Sequence, residues 1–342
     1  MSEPVYKMQP AGHEAPAPRR KYPEPDSKLA EAFENWLKTV KDKRHTGGRY
    51  ETIDEIRDKY IEARNAVRGL DCTIDEAHAL LFKHRDNSRI SFAGLFLSAV
   101  YNLSKDKEIV LESIIPEIEE IGYKLTADKT LVVYPQSSCA GYHSAGNLIL
   151  YGDSKYAAHD ARGAAVINYG KAYKPCDVSD VLFVNLGEIN YDIRYIRKGV
   201  ALNYGLIKLE KDWHPKAHQP LFLLQAGEYQ NRNFEDWMYY SSWLEGVSVV
   251  LGVKDESAEL TLRRADCTWE NFPLGMSSEL IYDIRNLGLR FAEGRTDYKK
   301  AIKLLNEVGD CTKVMQNFEQ ILKRAGYNFG IESFMKEEDL DV

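Results

Sequence analysis

Histidine side chains are the first candidates for chemistry in this chain. His214 and His218 have the H-x(3)-H spacing that places two zinc ligands on one face of a helix. Pro215 lies between them and breaks the helix that this spacing requires. We therefore predict no metal site, and no motif in the sequence indicates a bound cofactor.

A second set of residues combines thiols with imidazoles. Cys139 and His143 lie four residues apart, and His159 and Cys176 follow at the interval of the repeat described below. A thiol beside an imidazole can act as a nucleophile. Structural roles in turns are the favoured interpretation, so we predict no catalytic residue.

Aspartates recur in the links between the apolar segments. Carboxylates on neighbouring turns of a repeat can form the acid–base pair of a polysaccharide-processing enzyme. Aspartate is also common in turns because its side chain accepts hydrogen bonds from the local backbone. A carbohydrate-active enzyme therefore stays an alternative, with five candidate carboxylates: Asp153, Asp160, Asp177, Asp180 and Asp192.

Three tyrosines occupy nearly equivalent places in successive links: Tyr156, Tyr173 and Tyr191. Aromatic rows of this kind bind sugars, stack on nucleobases or anchor interfaces, and they also fill cores. We predict that these three residues belong to a candidate interface.

The element that would position these residues is a repeat. Short apolar segments end at Gly152, Gly170, Gly187 and Gly205, with intervals of 18, 17 and 18 residues. One strand per period at this spacing indicates a β-solenoid, in which stacked coils bury a common core. Each closing glycine is expected to turn the chain sharply, often with a positive φ angle.

Stacked coils place equivalent residues above one another. The positions three before each glycine, Ile149, Ile167, Val184 and Leu202, predict an inner aliphatic ladder, and Asn168, Asn185 and Asn203 predict an asparagine ladder. The positions four before each glycine, Leu148, Val166, Phe183 and Ala201, then point outward. This outer row is apolar and needs a cover, so Leu148, Val166 and Phe183 join the candidate interface.

Two other repeat architectures are excluded. A left-handed hexapeptide β-helix needs an aliphatic residue every six positions, but the positions six before Ile149 and Ile167 are His143 and Ala161. A βαβ fold needs crossovers of a dozen or more residues that contain helices. The links here are too short for them.

The G-x(5)-G segments Gly146–Gly152 and Gly199–Gly205, with their alternating aliphatic residues, resemble a known family. They are similar to the GXGXG-type right-handed β-helix that occurs at the C-terminal end of the large chain of glutamate synthase and in one of the chains of formylmethanofuran dehydrogenase. The resemblance covers roughly residues 128–255. It implies a scaffold that packs against partner domains or subunits and contributes no catalytic residue.

The predicted fold class is α+β: a right-handed parallel β-helix flanked by an N-terminal helical module and a C-terminal helical hairpin. The predicted parts are a disordered proline-rich tail (1–26), the helical module (27–125), the β-helix (126–275), the C-terminal helices (276–335) and an acidic tail (336–342). The hairpin would cap the open end of the solenoid or cover its outer face.

Bulk properties narrow the function classes. The net charge of -7 argues against nucleic acid as the main target without excluding it. Five scattered cysteines indicate a reducing compartment, so we expect a cytoplasmic location, and no apolar segment predicts a membrane span.

The favoured function is a non-catalytic scaffold or interaction protein that presents the side of its solenoid to a macromolecular partner, either another protein or a further copy of itself. Two alternatives stay open. One is an accessory subunit of a redox or amidotransferase enzyme, and the other is the carbohydrate-active enzyme.

Overall fold

The computed structural model describes most of the chain. The residues described are 22–40, 52–175, 178–190, 196–208, 221–230, 248–254, 257–263, 269–275 and 277–329. The predictions for residues 1–21 of the tail and for the acidic tail lie outside these ranges. So do Tyr191, Cys176, Asp177 and Asp192, as well as His214 and His218.

The described residues form a parallel β-solenoid with helices on either side in the chain, which confirms the predicted fold class. The first sheet contains, in spatial order, β1 (Glu108–Leu111), β3 (Thr130–Val133), β5 (Asn147–Leu150), β7 (Ala165–Asn168), β10 (Leu182–Asn185), β13 (Val200–Asn203), β15 (Phe222–Gln225), β17 (Ser248–Lys254), β18 (Ser257–Arg263) and β19 (Trp269–Gly275).

A second sheet runs along another side of the coils. It contains β2 (Glu117–Ile118), β4 (Gln136–Ala140), β6 (Ser154–Ala157), β8 (Lys171–Pro175), β11 (Glu188–Ile189), β14 (Leu206–Lys208) and β16 (Glu228–Gln230). A short third sheet pairs β9 (Val178–Ser179) with β12 (Ile196–Arg197). Each coil thus carries two or three strands, whereas the sequence repeat predicted one.

The solenoid differs from the predicted segment at both ends. Its first strand, β1, pairs in parallel with β3, so parallel pairing begins at Glu108 rather than after residue 126. At the other end, β17, β18 and β19 pair antiparallel. The last two strands of the first sheet are therefore a meander and not further coils.

The two apolar rows of the first sheet are oriented opposite to the prediction. Leu148, Val166, Phe183 and Ala201 share one buried cluster with Ile189, Ile207 and Ile196 of the other sheets, and so they fill the coil interior. The predicted inner row, Ile149, Ile167, Val184 and Leu202, lies in a separate cluster with the C-terminal helices. Both rows are apolar, so strand alternation could not reveal which one faced inward.

The N-terminal helices close the first coil. They are α1 (Ser27–Thr39), α2 (Ile53–Val67), α3 (Ile74–Lys83) and α4 (Gly94–Leu103), and their core is continuous with the coil interior. A Cβ atom on Gly94 would lie 1.8 Å from the Glu119 carbonyl oxygen, and the Ser98 hydroxyl accepts a hydrogen bond from the Tyr123 amide at 3.0 Å. Helix α4 therefore rests directly on the first coil.

The C-terminal helices cover the outer face of the first sheet. They are α5 (Ser278–Glu293), α6 (Tyr298–Val308) and α7 (Cys311–Arg324), three helices in place of the predicted hairpin. Their apolar faces pack on the outward row, for example Phe318 on Phe222 with ring centroids 4.8 Å apart. The outward apolar row of the first sheet is thus buried within the chain.

A stacked row of tyrosines joins this cover to the coils. The rings of Tyr134, Tyr151 and Tyr169 stack with centroids 4.6 and 4.9 Å apart. The Tyr169 hydroxyl donates to the Phe291 carbonyl at 2.5 Å, and the Tyr151 hydroxyl donates to the Gly294 carbonyl. Both acceptors lie at the end of α5, so the row attaches the end of this helix to the coils.

Amide side chains form a ladder inside the coils. Asn168 donates to the Asn185 side-chain oxygen at 2.9 Å, Asn185 donates to that of Asn203 at 2.7 Å, and Asn203 donates to the Gln225 side-chain oxygen at 3.0 Å. Each amide also donates to the carbonyl of the glycine that closes its own coil, or to that of Gly227 for Gln225. All four amides are buried, and the ladder gives each NH₂ group acceptors where water is absent; the Asn168 side-chain oxygen has no partner among the described residues.

The closing glycines are required by close approach between coils rather than by a positive φ angle. A Cβ atom on Gly187 would lie 1.9 Å from the Gly170 carbonyl oxygen, and one on Gly205 would lie 2.1 Å from that of Gly187. Neither glycine has a positive φ angle. Any side chain here would force neighbouring coils apart.

Asn185→Ala tests the amide ladder. The substitution removes the acceptor of Asn168 and the donor to Asn203 in a buried site, so we expect a loss of about 1–3 kcal/mol in the free energy of unfolding. Urea denaturation measures it. Asn306→Ala on the exposed face of α6 is the control and should stay within about 0.5 kcal/mol of the unmodified protein. Equal effects of the two variants would contradict a stabilising ladder.

The buried tyrosines predict loss of stability in alkali. Burial raises the pKa of Tyr134 to about 12, and burial raises the pKa values of Tyr151, Tyr169 and Tyr204 well above the ordinary 10.0. Because the unfolded chain loses these protons first, stability is retained below pH 10. Above that value it falls by about 1.4 kcal/mol per pH unit for each such group.

Tyr204→Phe provides the check on this pH dependence. The Tyr204 hydroxyl has no hydrogen-bond partner among the described residues, so its removal should leave stability at pH 7 unchanged or raised. The free energy of unfolding should then fall less steeply above pH 10, with a slope that corresponds to about one proton fewer. Denaturation curves between pH 8 and 11 measure both quantities. An unchanged slope would contradict the buried environment of this phenol.

Candidate binding groove

The outer face of the second sheet is polar and has no helix packed on it among the described residues. Its inward positions are buried, as at Ser137, Ser154 and Ala172, and the residues that alternate with them are polar and more exposed. Gln136, Lys155 and Lys171 belong to this outward set. Strands β3, β7, β10, β13 and β15 of the first sheet are buried on both faces, whereas the second sheet exposes one face.

A groove of about 850 Å³ lies along this face. Its floor is formed by outward residues of neighbouring coils: Glu117, Gln136, Ser138, Lys155, Lys171 and Tyr173. Its rim is formed by the loop between α3 and α4, with Arg85, Asp86, Asn87 and Ser88. The groove thus lies where the N-terminal helices meet the side of the solenoid.

The rim loop is held by hydrogen bonds of its own. The Asn87 side chain accepts from the Arg89 amide at 3.0 Å, and the Asn87 amide donates to the His84 carbonyl at 2.8 Å. The Ser91 carbonyl accepts from the Glu119 amide at 2.7 Å, which attaches the loop to the first coil. Arg85 lies over the Phe82 ring at 4.4 Å. The rim is therefore positioned by the same contacts that close the solenoid.

Ion pairs join charged side chains of neighbouring coils next to the groove floor. The Glu188 carboxylate lies 3.1 Å from the Lys171 ammonium and 2.9 Å from that of Lys208, which are on the coils on either side. Burial alone would raise the pKa of Glu188, but hydrogen bonds from Lys208 and Lys171 outweigh burial and lower it. Glu188 is therefore a fixed negative charge between two lysines.

The turn aspartates have structural contacts. Asp153 accepts a hydrogen bond from the Lys171 amide at 3.0 Å, which links two coils at the edge of the groove. Asp160 and Asp180 adopt positive φ angles of 51° and 55°, a conformation that aspartate tolerates in turns. These contacts agree with turn roles, and of these three carboxylates only Asp153 lines the groove.

His143 and His159 meet at a different corner of the coil. Both imidazoles have a nitrogen 4.0 Å from the Asp160 carboxylate. Both also stack on the Tyr142 ring, with ring centroids 4.2 Å apart for His143 and 4.7 Å apart for His159. Burial lowers the pKa of His143, although Asp160 opposes this effect. Cys139 is buried. Within the described ranges, no group of three or more His, Cys, Asp or Glu side chains is arranged to hold a metal ion.

The predicted interface residues separate into two environments. Leu148, Val166 and Phe183 are buried inside the coils and present no surface to a partner. Tyr173 lines the groove, and Tyr156 lies against the interior cluster with its ring 5.8 Å from that of His159. Of the predicted interface, Tyr173 is thus the residue that the structure brings to the groove.

Sequence reasoning missed the groove for identifiable reasons. The strands of the second sheet are two to five residues long, and their outward residues are mostly polar, so no apolar pattern marks them. One signal was present in the sequence: Pro116 precedes Pro135 by 19 residues, which is close to the period of the repeat. In the structure the Pro116 carbonyl accepts a hydrogen bond from the Gln136 amide, so the repeat extends one coil earlier than predicted.

Comparisons with known proteins add no relative. No protein-family model, curated protein or solved structure matches this chain. The solenoid fold therefore rests on the structure, and membership of the GXGXG type stays a prediction. Within the described residues, no helix has the length and apolar character needed to cross a membrane.

Substitutions of Asp153 test the structural role of its side chain in the turn. Asp153→Asn keeps a side-chain oxygen for the Lys171 amide, so we expect the free energy of unfolding to change by less than about 0.5 kcal/mol. Asp153→Ala removes the acceptor and should cost about 1 kcal/mol. Thermal or urea denaturation of the pair measures this difference. Equal stability of the two variants would show that the inter-coil hydrogen bond contributes nothing.

Proposed function

We propose that this protein is a non-catalytic interaction protein that binds a macromolecular partner through the groove on its second sheet. The observation that carries the proposal is the different treatment of the two sheets. The chain covers the outer face of the first sheet with its own helices, whereas among the described residues the polar outer face of the second sheet stays exposed beside a structured rim.

The shape of the site supports a macromolecule over a small molecule. Pockets for small ligands are mostly apolar and enclose most of the ligand. Most of the residues that line this groove are polar or charged, and they come from several coils. A long polar surface fits a partner that extends along it.

The proposal keeps the expected cytoplasmic location. It replaces the expected contact surface, since the row containing Leu148 and Phe183 is internal and the groove takes its place. The two kinds of partner expected from the sequence, another protein or a further copy of this chain, become outcomes of the experiment below.

Photo-crosslinking in the cells that make the protein tests the proposal. The photoreactive amino acid p-benzoylphenylalanine replaces Lys155 or Gln136 in the groove, or Lys303 on the exposed face of α6 as the control. We expect a discrete adduct of higher mass from both groove positions and none from Lys303. Mass spectrometry of the adduct identifies its class.

Two results would contradict the proposal. One is the absence of an adduct at both groove positions in a folded protein. The other is equal adduct formation at Lys303, which would show contact without a preference for the groove. Release of cleaved partner fragments that depends on the groove carboxylates would contradict the non-catalytic part.

A further inference from the structure

We infer that the macromolecule bound in the groove is a neutral polysaccharide that lies across the coils. This inference rests on the proposed function and specifies its ligand. Four properties of the groove support it: its length, its charge balance, the chemistry of its hydrogen-bonding groups and the direction of its sheet.

The length of the groove suits a chain of several residues. Glu117, Gln136, Lys155 and Lys171 line it from four successive strands, and Asn190 follows the fifth. Adjacent strands lie about 4.8 Å apart, so five strands span about 19 Å. A linear oligosaccharide laid along the coil stack would contact a new set of side chains at each coil.

The charge balance disfavours a polyanion. Three basic side chains, Arg85, Lys155 and Lys171, line the groove together with four acidic ones, Asp86, Glu117, Glu119 and Asp153. A nucleic-acid site carries an excess of positive charge to neutralise phosphates. Here the acidic side chains outnumber the basic ones and Lys171 is already paired with Glu188, so the groove lacks the positive excess that a polyanion requires.

The hydrogen-bonding groups match hydroxyls. Asn87, Gln136 and Asn190 carry amides, and Ser88 carries a hydroxyl, so each of these side chains can both donate and accept. Sugar hydroxyls also do both. Tyr173 adds a ring on the outward face, and aromatic rings provide stacking surfaces for ligands with a flat apolar face.

The direction of the sheet disfavours an extended peptide. A peptide that adds to a sheet pairs with the backbone of an edge strand. The groove lies on the face of the second sheet, where β4, β6 and β8 already pair with neighbours on both sides. A peptide held by side chains alone needs apolar pockets, and the apolar lining is confined to Ile90, Ile115 and Pro116 beside the rim.

Calorimetric titration of the full chain tests the inference. The probes are hexasaccharides of neutral glucan, mannan and xylan series, and the comparators are single-stranded oligothymidylate and a pool of random-sequence peptides. We expect saturable binding of at least one hexasaccharide, with neither comparator binding the groove. The bound sugar should be recovered intact.

Groove variants locate the binding. Tyr173→Ala and Gln136→Ala should each weaken hexasaccharide binding by roughly fivefold or more, because each removes a contact worth about 1 kcal/mol. Tyr173→Phe retains the ring and should bind within about twofold of the unmodified protein. Tyr282→Ala, an exposed ring on α5, is the matched control and should have no effect.

The outcomes separate this inference from the proposed function. If no hexasaccharide binds, or if both groove variants bind as the unmodified protein does, the inference fails. In that case a groove-specific photo-adduct of protein or nucleic acid would keep the proposed function with a different partner. If the groove gives neither sugar binding nor an adduct, both fail.

Discussion

The structure depends on how closely consecutive coils approach at the turn after each strand of the first sheet. A Cβ atom at Gly187 would lie 1.9 Å from the carbonyl oxygen of Gly170 on the preceding coil. Glycine there lets coils stack in register, and the register places Asn168, Asn185 and Asn203 where their amides form a buried chain of hydrogen bonds. Both features repeat at the same interval in the sequence because each coil contributes one such glycine and one such amide at equivalent positions.

The same register makes the outer face of the first sheet apolar and that of the second sheet polar. On the first sheet it aligns an outward apolar row, which would form a large exposed apolar patch without a cover. The three C-terminal helices bury this row, and Tyr151 and Tyr169 donate hydrogen bonds to the backbone at the end of α5. On the second sheet it aligns polar and charged residues, such as Lys171 and Glu188, that pair across coils and tolerate water. The proposed binding surface follows from this division, since the face that stays exposed among the described residues is the polar one.

The sequence predicted the solenoid because the glycine and asparagine positions repeat at almost constant spacing. It could not predict which apolar row faced inward, since Leu148 and Ile149 are both aliphatic and alternation only separates them. The choice is set by the distant helices that cover Ile149. The groove could not be predicted for a related reason. Gln136 and Lys171 lie on one face only because of the coil register, and Asn87 reaches the same groove from a distant part of the chain.

Hydroxyl-radical footprinting of the full chain tests the division between a covered and an open face most directly. Tyr282, which is 65% exposed, provides the internal reference for rapid oxidation. The structure predicts slow oxidation of Tyr151 and Tyr169, which are 7% and 5% exposed under the C-terminal helices, and much faster oxidation of Tyr173 in the groove. Oxidation of Tyr151 and Tyr169 as fast as that of Tyr173 would show that the first sheet is not covered, and the assignment of the groove as the open face would fail.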